Sequence, residues 1–206
     1  MYVPKHFAVD EPDALYQAMS DIAAATIVGQ GLDGMIASHV PVEIQREPAP
    51  YGRIRCHIAR ANPQAKALAA GQEVLAIFQG PQGYISPSWY PSKQTNHGKV
   101  VPTWNYLAIH AYGTVELFEG KDALLPHLEA LTNRHEAGRA EPWAVSDAPE
   151  EFVETLCRGI IGIEITITRI DGKKKMSQNR PEADRAGMLA GLKAEGRNDL
   201  IKLAEE

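Results

Sequence analysis

Apolar and polar positions alternate along several stretches of the chain. In RIRCHIAR (53–60), Ile54, Cys56 and Ile58 share one parity while Arg53, Arg55 and His57 share the other, as a half-buried strand requires. MIASHVPVEI (35–44) repeats the pattern: Ile36, Ser38, Val40, Val42 and Ile44 fall on one side and His39 on the other. EVLAIFQG (73–80) is a continuous apolar run of strand length, and GYISPSWY (83–90) reads as a short strand or an extended loop. YLAIHAYGTVELF (106–118) alternates again, with Gly113 on the apolar parity predicting a bulge or tight bend. IIGIEITITRI (160–170) is β-branched and predicts a final strand, after which GKKKMSQNRP (172–181) reads as a loop.

Helical spacing fills the intervals. Asp10 and Pro12 open a predicted helix over 11–24. Asn62 and Pro63 open another over 61–71, closed by Gly71. Leu124, Leu125, Leu128 and Leu131 mark a helix over 121–136, and Asp147 with Glu150 suggests a capping box for one over 149–158. Two short helices are expected at 182–194 and 198–204. About six antiparallel strands with irregularly placed helices exclude a doubly wound sheet and predict a mainly β, α+β barrel or sandwich. With no repeat or linker, residues 1–206 read as one domain, and 181–206 as a helical extension of it.

Composition narrows the partners. A net charge of −5 and an isoelectric point near 5.8 argue against a broad nucleic-acid-binding face, although Lys173, Lys174 and Lys175 form a local basic cluster. Cys56 and Cys157 are the only cysteines, with no CxxC spacing, so a reduced, cytoplasmic protein is expected. No apolar run reaches membrane-spanning length, and no association with a membrane is expected.

Three groups of residues could carry chemistry. In HIARANPQAK (57–66) a strand delivers Arg60 to a helix start, where Asn62, Gln64 and Lys66 add donors; this suits an anion, or simply a capped helix with surface charges. His39, His57 and His110 lie on strand faces without metal-ligand spacing, so no metal is expected and no catalytic residue is assigned. Cys56, on the apolar parity, reads as an inert core thiol. KKKMSQNR (173–180) is either a solvated basic loop or a cluster of donors for a polar cofactor. Two tryptophan motifs, ISPSWYPSK (85–93) and VPTWNY (101–106), ask for a shared core or a shared ligand.

Taken together and in order, RCHIARANPQ, FQGPQGYISPSWYPSK, VPTWNYLAIHAYG, LTNRHE and KMSQNRP resemble the PaiB-type FMN-binding negative transcriptional regulators. The resemblance runs from about Met1 to Gly191. It implies a six-stranded antiparallel Greek-key split barrel of the FMN-binding type, acting as a homodimer with FMN in clefts at the subunit interface. On that architecture Ser38, His39 and Val40 would follow the flavin ring and ribityl chain, and His57, Ile58, Ala59 and Arg60 would lead to the phosphate. Arg60, Asn62, Gln64 and Lys66 would then hold the phosphate, while Trp89, Trp104 and Asn105 would close the cleft. Lys175, Ser177, Gln178 and Asn179 would reach the isoalloxazine edge or the interface. The family name implies repression of transcription through DNA; an FMN-dependent oxidoreductase or flavin reductase is the alternative.

Overall fold

The computed structural model describes residues 1–205. Its strands are β1 (Ala8–Val9), β2 (Ala24–Gly31), β3 (Gly34–Pro41), β4 (Glu43–Gln45), β5 (Arg53–Ala59), β6 (Glu73–Ile85), β7 (Thr103–Phe118) and β8 (Ile160–Lys175). Its helices are α1 (Pro12–Ile22), α2 (Pro63–Ala67), α3 (Ser92–Thr95), α4 (Lys121–Glu136), α5 (Glu150–Arg158), α6 (Glu182–Ala194) and α7 (Asn198–Glu205). The chain forms two compact units: residues 16–78 with 110–170 make the larger, and residues 1–15, 79–109 and 171 onward make the smaller.

The strands of the sheet follow the order β3-β2-β6-β7-β8-β5-β4. Pairing is antiparallel wherever registers are defined: Thr26 faces His39, Ile27 faces Ala76, Ile44 faces Ile54, and Cys56 faces Ile163. The alternation expected for β5 is realised, with Ile54, Cys56 and Ile58 buried. They join Ile27, Val42, Phe78, Ala111, Ile163 and Ile165 in the core, each large side chain contributing about 1.5–3 kcal/mol of burial. Gly113 serves close approach within β7, since a Cβ there would lie 2.3 Å from the Thr166 carbonyl oxygen on β8. Leu124 on α4, Val153 and Cys157 on α5, and Val145 form a second apolar cluster, with Phe118 packed against it.

The smaller unit pairs β1 with the end of β8, Ala8 opposite Lys173. Its core includes Ile85, Tyr90, Leu107, Ile109, Met188, Leu192 and Leu200. Helix α6 carries Gly187 and Gly191 one turn apart, and both lie against Trp89. A Cβ at Gly187 would come 2.0 Å from the Trp89 carbonyl oxygen, and one at Gly191 would come 2.2 Å from its indole. The buried carboxylate of Asp184 on the same helix accepts from the Ser92 backbone N–H (3.0 Å) and hydroxyl (2.7 Å). The Arg180 guanidinium lies 4.9 Å from the Tyr90 ring centroid. The WYPS segment is thus fastened to α6 through Gly187, Gly191 and Asp184, and to Arg180 just before it.

Several elements differ from their sequence expectation. Among the described residues there are eight strands where the pattern predicts six: β1 and β2 are additional, β4 breaks away from β3 beyond Pro41, and the predicted stretches 73–80 and 83–90 run together as β6. β8 continues through Lys175 because its lysines are engaged in the smaller unit. The Lys173 ammonium donates to the Tyr2 carbonyl (3.1 Å) and lies over the Tyr2 and Tyr106 rings, and Lys175 donates to the Thr103 hydroxyl. α2 stops at Ala67 rather than reaching Gly71. Asp147 does not cap α5; its carboxylate accepts from Ala144 N–H (2.9 Å) and closes a 3₁₀ turn over Val145–Asp147.

Candidate functional site

The larger unit gathers one set of the residues expected to form a site. At the end of β5 the chain leaves through Ala59 and Arg60, both exposed, and enters α2 through Asn62. The Asn62 side chain does two jobs: its oxygen accepts from Gln64 N–H (2.9 Å), capping the helix, and its amide donates to the Ser38 hydroxyl (2.9 Å) on β3. His39, on the opposite face of β3, meets the Thr26 hydroxyl at 2.8 Å. Gln64 is fully buried and acts as a strut, its amide donating to the carbonyls of Ile27 (2.9 Å) and Ile36 (3.4 Å). Its Oε1 is buried without a hydrogen-bond partner. Val40 and Ile58 are core residues, and Lys66 is exposed on α2.

Arg60 lines a depression of about 470 Å³ with Glu119, Gly120, Lys121, Glu154, Cys157 and Arg158. Its guanidinium donates to the carbonyls of Arg158 (3.0 Å) and Ile160 (3.2 Å) and pairs with Glu119 at 3.0 Å. Arg158 pairs with Glu154 at 2.7 Å, and Lys121 pairs with Glu150. The carboxylates that balance Arg60 and Arg158 are about half exposed. Such pairs are worth about 0–1 kcal/mol, so a stronger anion can displace them. Cys157 contributes no nucleophile, because burial raises its thiol pKa.

On the other face of β5, His57 is half-buried and points Nδ1 at Nε2 of His127, 3.1 Å away. His127 is fully buried on α4, and its Nδ1 lies 3.2 Å from Oε2 of Glu43 on β4. The other Glu43 oxygen accepts from the Gln45 amide at 2.6 Å. Burial lowers the pKa of both imidazoles; Glu43 partly offsets this at His127, and His127 adds to it at His57.

The smaller unit holds the remaining expected residues. Asn105 and Ser177 are buried, joined by the Ser177 hydroxyl donating to Asn105 Oδ1 (3.1 Å), while the Asn105 amide reaches the Met188 sulfur at 3.3 Å. Gln178 folds back on its own loop, accepting from Met176 N–H at 2.6 Å. Asn179 is exposed. Trp89 is half-buried against α6, whereas Trp104 is 48% exposed with its indole N–H donating to Gln82 Oε1 at 3.0 Å.

His127, Glu43, Lys121 and Arg158 were not singled out from the sequence. Only His127 carried a signal: it sits three residues after Leu124 and four before Leu131, on the apolar stripe of α4. Among the described residues no cluster of His, Cys, Asp or Glu could hold a metal ion, and no helix is long and apolar enough to cross a membrane.

The sequence places this mainly antiparallel fold in a family. The chain belongs to the family described as "Putative FMN-binding domain", which it matches over residues 1–169. It is 33% identical over 205 residues to the Protease synthase and sporulation protein PAI 2 of Bacillus subtilis, covering 100% of this chain and 95% of that protein. It is also 38% identical over 186 residues to an uncharacterized protein of Emericella nidulans, covering 76% of this chain and 74% of that one. Two solved structures share the fold. The FAD and heme binding protein of Mycobacterium smegmatis superposes with a TM-score of 0.59 at 18% identity, over 89% of this chain and 80% of that one. A flavocytochrome of Azotobacter vinelandii gives a TM-score of 0.60 at 13% identity, over 90% and 78%. The fold is therefore that of the flavin-binding split barrels, and the cofactor of the family is FMN.

Proposed function

We propose that this protein is a homodimeric FMN-binding regulator that holds the flavin phosphate at the Arg60 corner. The observation that carries the reading is the convergence of Arg60, Lys121 and Arg158 on one depression. An FMN phosphate bears about −1.5 to −2 charges at neutral pH and accepts several hydrogen bonds, so a set of convergent cations fits it. α2 has only five residues, too short to supply a substantial dipole, so side chains must do most of the work. Asn62 and Lys66 extend the donor set, while Ser38, His39 and His57 stand where the rest of the cofactor would run. When bound, FMN supplies the redox chemistry; the residues of this chain bind and orient it.

A dimer is supported by exposed apolar side chains in the smaller unit: Tyr84 on β6, Trp104 on β7, and Val101 just before β7. Large apolar side chains left exposed are available to such a contact. Asn105, Lys175, Ser177, Gln178 and Asn179 lie in this unit, and in the proposal they frame the cleft. For the regulatory reading, direct contact of α6 and α7 with DNA lacks a basic stripe: Arg185, Lys193, Arg197 and Lys202 are interspersed with Glu182, Glu195, Asp199 and Glu205. That mixed surface favours the second reading, an FMN-dependent oxidoreductase or flavin reductase using a nicotinamide donor.

The deciding experiment is titration with FMN and with riboflavin, which lacks the phosphate, followed by flavin fluorescence quenching. Arg60→Ala should weaken FMN binding by about 1.5–3 kcal/mol, roughly 10- to 150-fold, and leave riboflavin binding unchanged. Equal losses for both ligands would remove the phosphate from this corner. Bleaching of bound flavin by NADH or NADPH would select the oxidoreductase, and salt-sensitive retardation of promoter DNA would select the regulator.

A further inference from the structure

We propose that Glu43, His127 and His57 form a proton relay that presents a bare imidazole Nε2 of His57 as a proton and hydrogen-bond acceptor. A carboxylate can only accept, and one Glu43 oxygen already accepts from the Gln45 amide. The other faces His127 Nδ1 at 3.2 Å, so Nδ1 must carry the hydrogen. A neutral His127 then has an unprotonated Nε2, and the 3.1 Å contact requires His57 Nδ1 to donate to it. A neutral His57 is left with Nε2 unprotonated. Each tautomer is forced by its neighbour, and the chain of constraints starts at one carboxylate.

The relay has a direction. A proton taken up at His57 Nε2 lets the Nδ1 proton pass to His127 Nε2, so His57 again becomes neutral, now with Nε2–H, and the positive charge comes to rest on His127. That charge then lies beside Glu43, whose carboxylate is the nearest compensating group. Uptake of one proton therefore converts His57 Nε2 from an acceptor to a donor without moving a heavy atom.

The surroundings favour the neutral state at rest. Phe118 on β7 presents a nearly perpendicular contact to His127, with ring centroids 6.0 Å apart. The Arg55 guanidinium of β5 lies 4.3 Å from the Phe118 ring centroid and opposes charge on His127. Arg55 is itself paired at 3.2 Å with Glu164 on β8, which also pairs with Arg53 at 2.9 Å. Burial lowers both histidine pKa values, and the two imidazoles disfavour a second proton on the pair. Glu43 and His127 are thus positioning residues, and the ligand chemistry that suits His57 is an N–H or O–H donor. The relay stands whether or not that donor belongs to a flavin.

The test is long-range ¹H–¹⁵N correlation on the full chain with ¹⁵N-labelled histidine, titrated from pH 8 to pH 5 without flavin. At pH 8 both His57 and His127 should be neutral, with Nδ1 protonated and Nε2 bare. On acidification, protonation of one should perturb the other at the same midpoint. Glu43→Gln should move the His127 midpoint downward and abolish the fixed Nδ1–H signature of His57, with the core isoleucine methyl shifts unchanged. An Nε2–H tautomer for His57 at pH 8, or spectra untouched by Glu43→Gln, would overturn the relay. The wild-type tautomers decide the claim alone, so a poorly folding variant does not leave it open. FMN binding that fails while these tautomers hold would sink the flavin reading and leave the relay standing.

Discussion

Replacing Gly187 with alanine sets two well-known magnitudes against each other. In a helix interior, Gly→Ala gains about 1 kcal/mol from helix propensity, so α6 considered alone should become more stable. The packing around Gly187 predicts the opposite. The added Cβ would lie 2.0 Å from the Trp89 carbonyl oxygen, and that atom is backbone, which cannot rotate aside. Overpacking of this kind costs about 1–3 kcal/mol, and a clash with main chain belongs at the upper end. The net expectation is a loss of about 2 kcal/mol, which for a chain of this size lowers Tm by about 4–8 °C. Relief requires α6 to move away from the segment that Asp184 and Ser92 tie to it, so the loss should appear as partial undocking of α6.

Tryptophan fluorescence can read that event. Trp104 and Trp143 are each 48% exposed, so Trp89 is the more shielded of the chain's three indoles. Gly187→Ala should lower the thermal midpoint and shift emission to the red, and Gly191→Ala, whose Cβ meets the indole itself, should do the same. Gly138→Ala, with nothing within 4 Å of its Cβ position, serves as the control. A Gly187→Ala protein as stable as the parent or more so, with unshifted emission, would refute the docking of α6 on Trp89.

His57 and His127 have depressed pKa values in the folded state, so the unfolded chain binds more protons once pH falls below about 6.5. Their contribution to stability is complete above that pH and is lost as pH falls through the folded values; Tm should fall from pH 7.5 to 5.5, and His127→Gln should flatten the slope. Burial pushes the Cys56 thiol up to about 12 and also raises that of Cys157. Neither should react with Ellman's reagent at pH 8 until the protein unfolds, and a thiol titrating rapidly in the native state would contradict the burial. Trp104→Ala should change stability by no more than about 0.5 kcal/mol, as at an exposed site. In sedimentation it should raise the monomer fraction, and an unaltered dimer would take Trp104 out of the interface.

The sequence was readable where side-chain chemistry and position agreed. β5 alternates cleanly because its inward residues are Ile54, Cys56 and Ile58, and α4, α6 and α7 carry leucine or methionine at helical spacing. β2 was not readable, because two of its inward positions are Ala25 and Gly29, which bury little area and leave no hydrophobic signal. Its Gly29 is small for a tertiary reason: a Cβ there would sit 3.2 Å from Leu68 and 3.3 Å from Val74. The lysine run at 173–175 hid the end of β8, since a long stem can pack on tyrosine rings while its ammonium finds a carbonyl. His127 was hidden by the reverse logic: a polar residue on an apolar stripe looks like an interruption until Glu43 and His57 arrive from β4 and β5 to satisfy it.

The tryptophan motifs divide along the same line. ISPSWYPSK and VPTWNY invite one reading because they look alike, yet their indoles sit in different environments. Trp89 has its backbone against Gly187 and its indole against Gly191, and the neighbouring Ser92 is held by Asp184, so this motif encodes the docking of α6. The glycines and the tryptophan are one device: a large ring needs a helix face with no side chains, and GMLAG (187–191) supplies it. Trp104 is oriented by a hydrogen bond to Gln82 while half its surface meets solvent. A side chain that is held in orientation but left uncovered has a surface role, whereas one that fills a glycine groove has a folding role. Asn105, one residue on, turns inward to Ser177 and Met188, so consecutive positions of β7 divide between an exposed indole and an inner anchor.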